Sequence, residues 1–154
     1  MGDTINGVTQ DARTATQTEV ARWRLARHTY DFAVSGGAQG AFTIFTVTGT
    51  VFAQVFGVCQ TLMNSGGAAT IELGISGNTA ALIAQTTATD LDQYETWQDA
   101  TPEANPGAVD LTGRTFVLTN GADVIMTVAT ADLNAGVIDF YCIWAPLSTN
   151  GAVT

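Results

Sequence analysis

The sequence contains no lysine, and only 12% of its 154 residues are charged, where about 25% is usual for a globular domain. A surface with so few charges has few groups that keep copies of a protein apart in solution. We therefore predict that much of the surface is covered by partners, including other copies of the same chain.

Residues that commonly carry catalysis are also scarce. There is one histidine, His28, and two cysteines, Cys59 and Cys142. A single histidine beside Arg27 lacks the second ligand or the carboxylate that metal binding and acid–base catalysis use. Cysteines inside apolar runs are typical of buried thiols, and two do not make a disulfide framework. Since no serine-nucleophile or phosphate-loop motif is present either, the sequence predicts a protein that is not an enzyme and has no cofactor or metal.

The longest uncharged stretch, residues 32–71, is not a membrane-spanning segment. A membrane helix needs about 20 consecutive apolar residues, whereas glycines, glutamines and threonines interrupt this stretch repeatedly. We interpret it as strands and turns, and predict that the protein does not enter a membrane.

The net charge of −9 is unevenly distributed along the chain. The basic residues before Thr29 are Arg13, Arg22, Arg24 and Arg27, and after it Arg114 is the only one among eleven acidic residues. An acidic body repels phosphate groups, which excludes nucleic acid as a partner. The basic segment either docks on an acidic partner surface or is simply solvated.

Apolar and polar residues alternate in short segments separated by glycine-rich turns, which is the period of β-strands. The clearest are residues 123–130 and 137–144, which we interpret as a hairpin joined by a loop at residues 131–136. Residues 51–63 suit one strand, or two joined by a kink at Gly57. Roughly seven to nine such strands predict an all-β fold, a β-sandwich, of which the jelly roll is the natural eight-stranded form.

Two further segments depart from this pattern. Residues 79–87 are the best helix candidate, although their threonines weaken the prediction. Residues 88–109 are polar and acidic and are interpreted as a long surface loop, which in a compact domain is usually functional or mobile.

We divide the chain into an extended N-terminal arm, residues 1–27, and a β-sandwich domain, residues 28–154. The arm holds a candidate anchor for a neighbouring protein, since tryptophan and arginine dominate buried interface contacts. The anchor residues are Arg22, Trp23, Arg24 and Arg27.

The acidic loop is the second candidate site. Its carboxylates, Asp90, Asp92, Glu95 and Asp99, could supply oxygen ligands to a hard cation, but their spacing is not that of an EF-hand. Aromatic residues beside acids could instead stack on a sugar, and a solvated loop is the plain alternative. The candidate ligand residues are Asp90, Asp92, Tyr94 and Trp97.

Three stretches carry a resemblance to a known family. Residues 29–38 hold a Tyr-Asp-Phe strand that opens into Gly-Gly, residues 69–74 hold a strand that ends in Leu-Gly, and residues 131–141 hold an Ala-Gly turn before an aromatic strand. In this order they resemble small structural proteins encoded among the head genes of tailed phages and prophages. The N-terminal residues 1–27 do not map onto that pattern.

The resemblance implies a virion protein, made in the host cytoplasm and carried on the outer surface of the capsid. It implies a decoration (cement) protein that binds the major capsid protein, self-associates as a homo-oligomer, often a trimer, and has no catalytic residues. A carbohydrate-binding β-sandwich module and a tail, collar or fibre component are the alternatives.

Overall fold

Strands account for almost all the regular structure of the chain. The computed structural model describes residues 4–5, 8–9, 22–103, 107–111, 114–119 and 121–154. The elements are β1 (Thr4–Ile5), β2 (Val8–Thr9), β3 (Arg24–Asp31), α1 (Phe32–Ser35), β4 (Gly40–Phe45), β5 (Val47–Thr48), β6 (Val51–Ser65), β7 (Thr70–Ile75), β8 (Asn78–Thr87), a 3-10 helix (Ala88–Asp90), β9 (Thr96–Trp97), β10 (Phe116–Leu118), β11 (Val124–Ala129), β12 (Leu133–Pro146) and β13 (Ala152–Val153). The predicted all-β class is confirmed.

Two antiparallel sheets contain the longer strands. The first sheet has the order β10–β6–β12–β3, and β9 pairs with the same edge of β6 as β10 does. The second has the order β4–β11–β7–β8. Two small ribbons, β1–β2 and β5–β13, complete the strand pairs.

The pairing of the eight main strands is nested. The first of them, β3, pairs with the last, β12; β4 pairs with β11, β6 with β10, and β7 with β8. A long hairpin folded over on itself produces this order, so the topology favours the eight-stranded jelly roll. The jelly roll stays our interpretation of this strand order.

One hydrophobic core joins the two sheets, as a β-sandwich requires. Alternate residues of β6 and β12 point into it, and Phe140 and Trp97 are fully buried there. Between the two end strands β3 and β4, the ring of Tyr30 packs edge to face on Phe42, with 5.4 Å between the ring centroids.

The predicted hairpin at residues 123–144 is wrong. Both segments are strands, but β11 lies in the second sheet and β12 in the first. The chain crosses between the sheets at Thr130, which has a φ of 71°, and residues 133–136 already belong to β12. A period of two identifies a strand, but it does not identify the strand's partner.

Residues 79–87 are not a helix either, because they lie within strand β8, which pairs with β7. Their β-branched threonines favour a strand, and the pairing partner decides the conformation. Strand β6 is continuous through Gly57, where an added Cβ would lie 2.9 Å from Cγ2 of Ile138. This glycine therefore serves close strand packing and does not mark a kink.

Among the residues that the structure describes, no helix is long and apolar enough to cross a membrane.

Candidate interaction surfaces

The side chains of the first sheet that point away from the core form an apolar surface, which we call the outer face. Paired residues in a sheet share a side. The rows across β3, β12 and β6 are Leu25–Ile143–Gln54, Arg27–Tyr141–Phe56 and Thr29–Asp139–Val58. The apolar members of the outer face are Trp23, Leu25, Phe52, Phe56, Val58, Val117, Tyr141 and Ile143.

Several of these side chains are well exposed. The exposed fractions are 54% for Trp23, 65% for Leu25 and 56% for Val117. Trp23 meets Phe52 edge to face at 5.5 Å, so its ring is held against the sheet. Contiguous apolar patches are uncommon on monomeric proteins and mark interaction sites. The outer face is therefore the strongest candidate interaction surface in the described part of the chain.

A buried carboxylate lies within the outer face. Asp139 accepts a hydrogen bond from Nη2 of Arg27 at 2.7 Å and one from Oγ1 of Thr29 at 2.5 Å. The hydrogen bond with Asp139, and then the attraction of its charge, raise the pKa of Arg27 above its ordinary value, so this guanidinium stays protonated. The guanidinium also lies 5.8 Å from the ring centre of Tyr141. The pair adds no net charge to the outer face.

The four anchor residues lie on or directly before strand β3. Arg22 and Arg24 are exposed, and the guanidinium of Arg24 lies 5.0 Å from the ring centre of Trp144 on the core side. Trp23 and Arg27 belong to the outer face. The proposed boundary between residues 27 and 28 thus falls inside a strand of the sheet, and residues 1–3, 6–7 and 10–21 of the predicted arm lie outside the described residues.

Strand β3 forms one edge of the first sheet. Of the strands that the structure describes, it pairs with β12 alone, in an unbroken register of eight residue pairs. It contains neither proline nor glycine, and its register with β12 shows no bulge. Such an edge offers unpaired backbone groups to another chain.

The acidic segment, residues 90–103, runs along the opposite edge. Its backbone is fixed to β6, because the amide of Tyr94 donates to the carbonyl of Cys59 at 2.7 Å and the amide of Cys59 donates to the carbonyl of Glu95 at 2.9 Å. The buried carboxylate of Glu95 accepts from the amide of Asp92 at 2.9 Å. This side chain therefore shapes the turn and is not available as a ligand.

Three of the four candidate ligand residues reach the surface. Asp90 and Asp92 are exposed, and Tyr94, with a φ of 71°, is 57% exposed. Trp97 is fully buried, and its Nε1 donates to Oγ1 of Thr86 at 2.9 Å. The prediction that Trp97 stacks on a ligand does not fit this place in the core, and the description of residues 88–109 as a surface loop is wrong for its buried part.

The described residues contain no cluster of three or more histidine, cysteine, aspartate or glutamate side chains that could hold a metal ion. Both cysteines are buried free thiols, which confirms that prediction. Burial raises the pKa of Cys59 to about 11 and that of Cys142 to about 12.

No family model matches the chain, and no curated protein matches its sequence. One solved structure with a similar fold is a chain of the acidic stable capsid structure of the Helicobacter pylori bacteriophage KHP30. It is 10% identical, with a TM-score of 0.52, and the match covers 87% of this chain and 94% of that one. A chain of the cyanophage Pam1 capsid asymmetric unit is 11% identical, with a TM-score of 0.46, over 81% of this chain and 85% of that one. The expected resemblance to phage head proteins is confirmed at the level of the fold, which occurs in a phage capsid structure.

Proposed function

We propose that this chain is a structural protein of a phage virion, which binds the outer surface of the head as a decoration (cement) protein. The observation that carries the proposal is the fold shared with a chain of a phage capsid structure, across nearly the whole of both chains. The low charge of the sequence and the apolar outer face support a role in assembly.

The proposed partner of the outer face is the major capsid protein. The face is apolar and aromatic, and its one described ion pair is internally neutral, although the chain carries a net charge of −9. It can therefore approach a protein shell without the repulsion that the rest of the acidic surface would cause. Its exposed tryptophan has the chemistry of an interface hot spot.

The experiment that tests this proposal measures binding to heads of the same phage that lack the protein. Leu25→Ser removes an exposed leucine from the outer face, and Leu147→Ser removes a similarly exposed leucine after β12 as a matched control. Burying a leucine is worth about 1.5–3 kcal/mol. We expect Leu25→Ser to weaken head binding about tenfold or more, and Leu147→Ser to bind like the wild type.

Equal binding by the wild type and Leu25→Ser would show that the outer face does not bind the head. Failure of the wild type to bind heads would contradict the decoration role itself. The copy number in purified virions, measured by mass spectrometry, then separates the alternatives, because decoration requires a number close to that of the major capsid protein or a simple fraction of it. A few to a few dozen copies would assign the chain to the tail, collar or fibre.

A further inference from the structure

The two edges of the first sheet carry opposite charge. At the β3 edge, Arg22 and Arg24 are exposed. At the other edge lies the acidic segment, in which Asp90 and Asp92 are exposed. Since β9 pairs with β6 on the side opposite β12, the acidic segment and β3 are separated by the width of the sheet.

We infer that copies of this chain associate head to tail, with the β3 edge of one copy against the acidic segment of the next. The inference rests on the proposed function, to which it adds the self-association predicted from the sequence and the surfaces that perform it. A contact between two different surfaces produces a closed ring when the rotation between copies allows it, and an open chain otherwise. The predicted trimer is the three-membered case of such a ring.

The side chains at the two edges are chemically matched. Arginine forms charge-assisted hydrogen bonds with carboxylates, often two at once, and also packs on aromatic faces. Asp90 and Asp92 supply the carboxylates, and the exposed ring of Tyr94 follows Asp92 by two residues. Arg24 already packs on Trp144, so part of its side-chain order is present before association. Arg22 and Arg24 on one side, and Asp90, Asp92 and Tyr94 on the other, are then the two halves of one contact.

The same charges disfavour the symmetric alternative. Pairing two β3 edges in the same direction would bring Arg22 and Arg24 of one copy close to the same residues of the other, and pairing them in opposite directions would bring no aspartate of the acidic segment to these arginines. Pairing two acidic segments would oppose aspartates in the same way. Like charges placed opposite each other are destabilising in sheets and at interfaces. Joining unlike edges brings Arg22 and Arg24 of one copy to the exposed aspartates of the next, which is why the inferred occupant of the β3 edge is the acidic segment of a second copy.

A charge-swap experiment on the full chain tests the inference by sedimentation velocity. The first variant is Arg22→Glu/Arg24→Glu, the second is Asp90→Arg/Asp92→Arg, and the third combines all four substitutions. Glu72→Arg, on the second sheet, controls for a charge reversal away from the two edges. Thermal unfolding verifies that each variant is folded.

We expect the wild type and Glu72→Arg to be oligomeric at low salt, and to dissociate at about 1 M salt, where charges are screened over ~3 Å. Each reversal variant should dissociate at least about tenfold more readily. The four-fold variant should recover the oligomer, because it restores unlike edges. An equimolar mixture of the two reversal variants should form mixed complexes but no closed trimer, because a three-membered ring of two kinds of copy would join at least one pair of like edges.

Three results would overturn the inference: a monomeric wild type at low salt, reversal variants that stay oligomeric, or a folded four-fold variant and a mixture that stay monomeric. Its failure is distinguishable from that of the proposed function. A monomer that binds heads overturns the head-to-tail contact alone. In that case the partner of the β3 edge could be an acidic surface of the shell, and the inferred contact between copies would still be wrong. An oligomer that does not bind heads overturns the decoration role alone.

Discussion

Asp139 is a buried carboxylate held by two neighbours on strand β3. It is buried on the outer face and accepts hydrogen bonds from Arg27 and Thr29. Removal of one partner of such a pair leaves an uncompensated buried charge, which costs more than removal of both partners. The sequence showed Asp139 only as an acid inside an apolar strand, and it gave no sign of Arg27 as its partner, because the two residues are far apart in the chain.

We therefore predict that Arg27→Ala lowers the free energy of unfolding, and that Asp139→Asn restores part of the loss in the same background. Urea unfolding of the wild type, both single variants and the double variant measures the coupling. Additive losses in the double variant would show that the two side chains act independently.

The buried thiols and Tyr30 predict a loss of stability at alkaline pH. Burial raises the pKa of Tyr30 to about 12, and its hydroxyl donates to the carbonyl of Gly36 at 2.6 Å. The pKa values of Cys59 and Cys142 are raised as well. The folded state keeps these protons where the unfolded state has already released them, so alkaline pH favours unfolding.

The contribution of these three groups to stability should be constant below about pH 8.5 and should fall as the pH rises through about 9 to 12, the range between the ordinary and the raised pKa values. Thermal unfolding across this range measures the fall. Cys59→Ala/Cys142→Ala should show a shallower decline between about pH 9 and 10, and a decline equal to that of the wild type would contradict the role of the thiols.

Gly136 fits a position that other residues cannot take. Its φ is 131°, and an added Cβ would lie closer to Sδ of Met63 than van der Waals contact allows. Gly136→Ala should lower the free energy of unfolding by about 1–3 kcal/mol. Gly66→Ala, where the nearest atom lies at 3.8 Å, is the matched control and should have little effect. Chemical denaturation of both variants decides the prediction.

At the scale of elements, the alternating pattern located strands well and their partners poorly. Residues 51–63 and 137–144 were recognised because one side of each is continuously apolar. The sheet to which each strand belongs depends on long-range packing, so β11 and β12 were wrongly joined as a hairpin. Trp97 was expected at the surface because its neighbours are polar, whereas its partners Thr86 and Phe140 come from β8 and β12.

The N-terminal boundary can be tested by two truncations. Deletion of residues 1–21 leaves β3 intact and should leave the melting temperature close to that of the full chain. Deletion of residues 1–27 removes half of β3 and uncovers the edge of β12 from Tyr141 to Trp144. The second truncation should melt at a markedly lower temperature or fail to be soluble. Equal melting temperatures would support the predicted boundary between residues 27 and 28.

At the scale of the whole molecule, the nested pairing makes the body depend on contacts between the ends of the sequence, since β3 pairs with β12. The composition alone indicated a self-associating protein, because a chain without lysine and with few charges has little to keep copies apart. The composition could not indicate which surface serves which partner. That assignment requires the pairing of the strands, which shows which residues lie on the outer face and which strands form the two edges.

The two proposed surfaces should therefore respond to different substitutions. Leu25→Ser should reduce the occupancy of heads while the low-salt oligomer persists, and Arg22→Glu/Arg24→Glu should dissociate the oligomer. Head binding and sedimentation of the same two samples provide the comparison. Loss of both properties in the Leu25→Ser variant would show that the outer face and the edge are one surface.

Strand β3 contributes Leu25 to the outer face and Arg24 to the edge of the same sheet. Under the proposed contacts, a copy that is bound to a head holds its basic edge in position to bind a second copy. A copy that is already bound to a neighbour presents an ordered outer face to the head. Thermodynamic linkage makes this assistance equal in both directions. Coverage of a head should then rise more steeply with protein concentration than independent binding of each copy would allow.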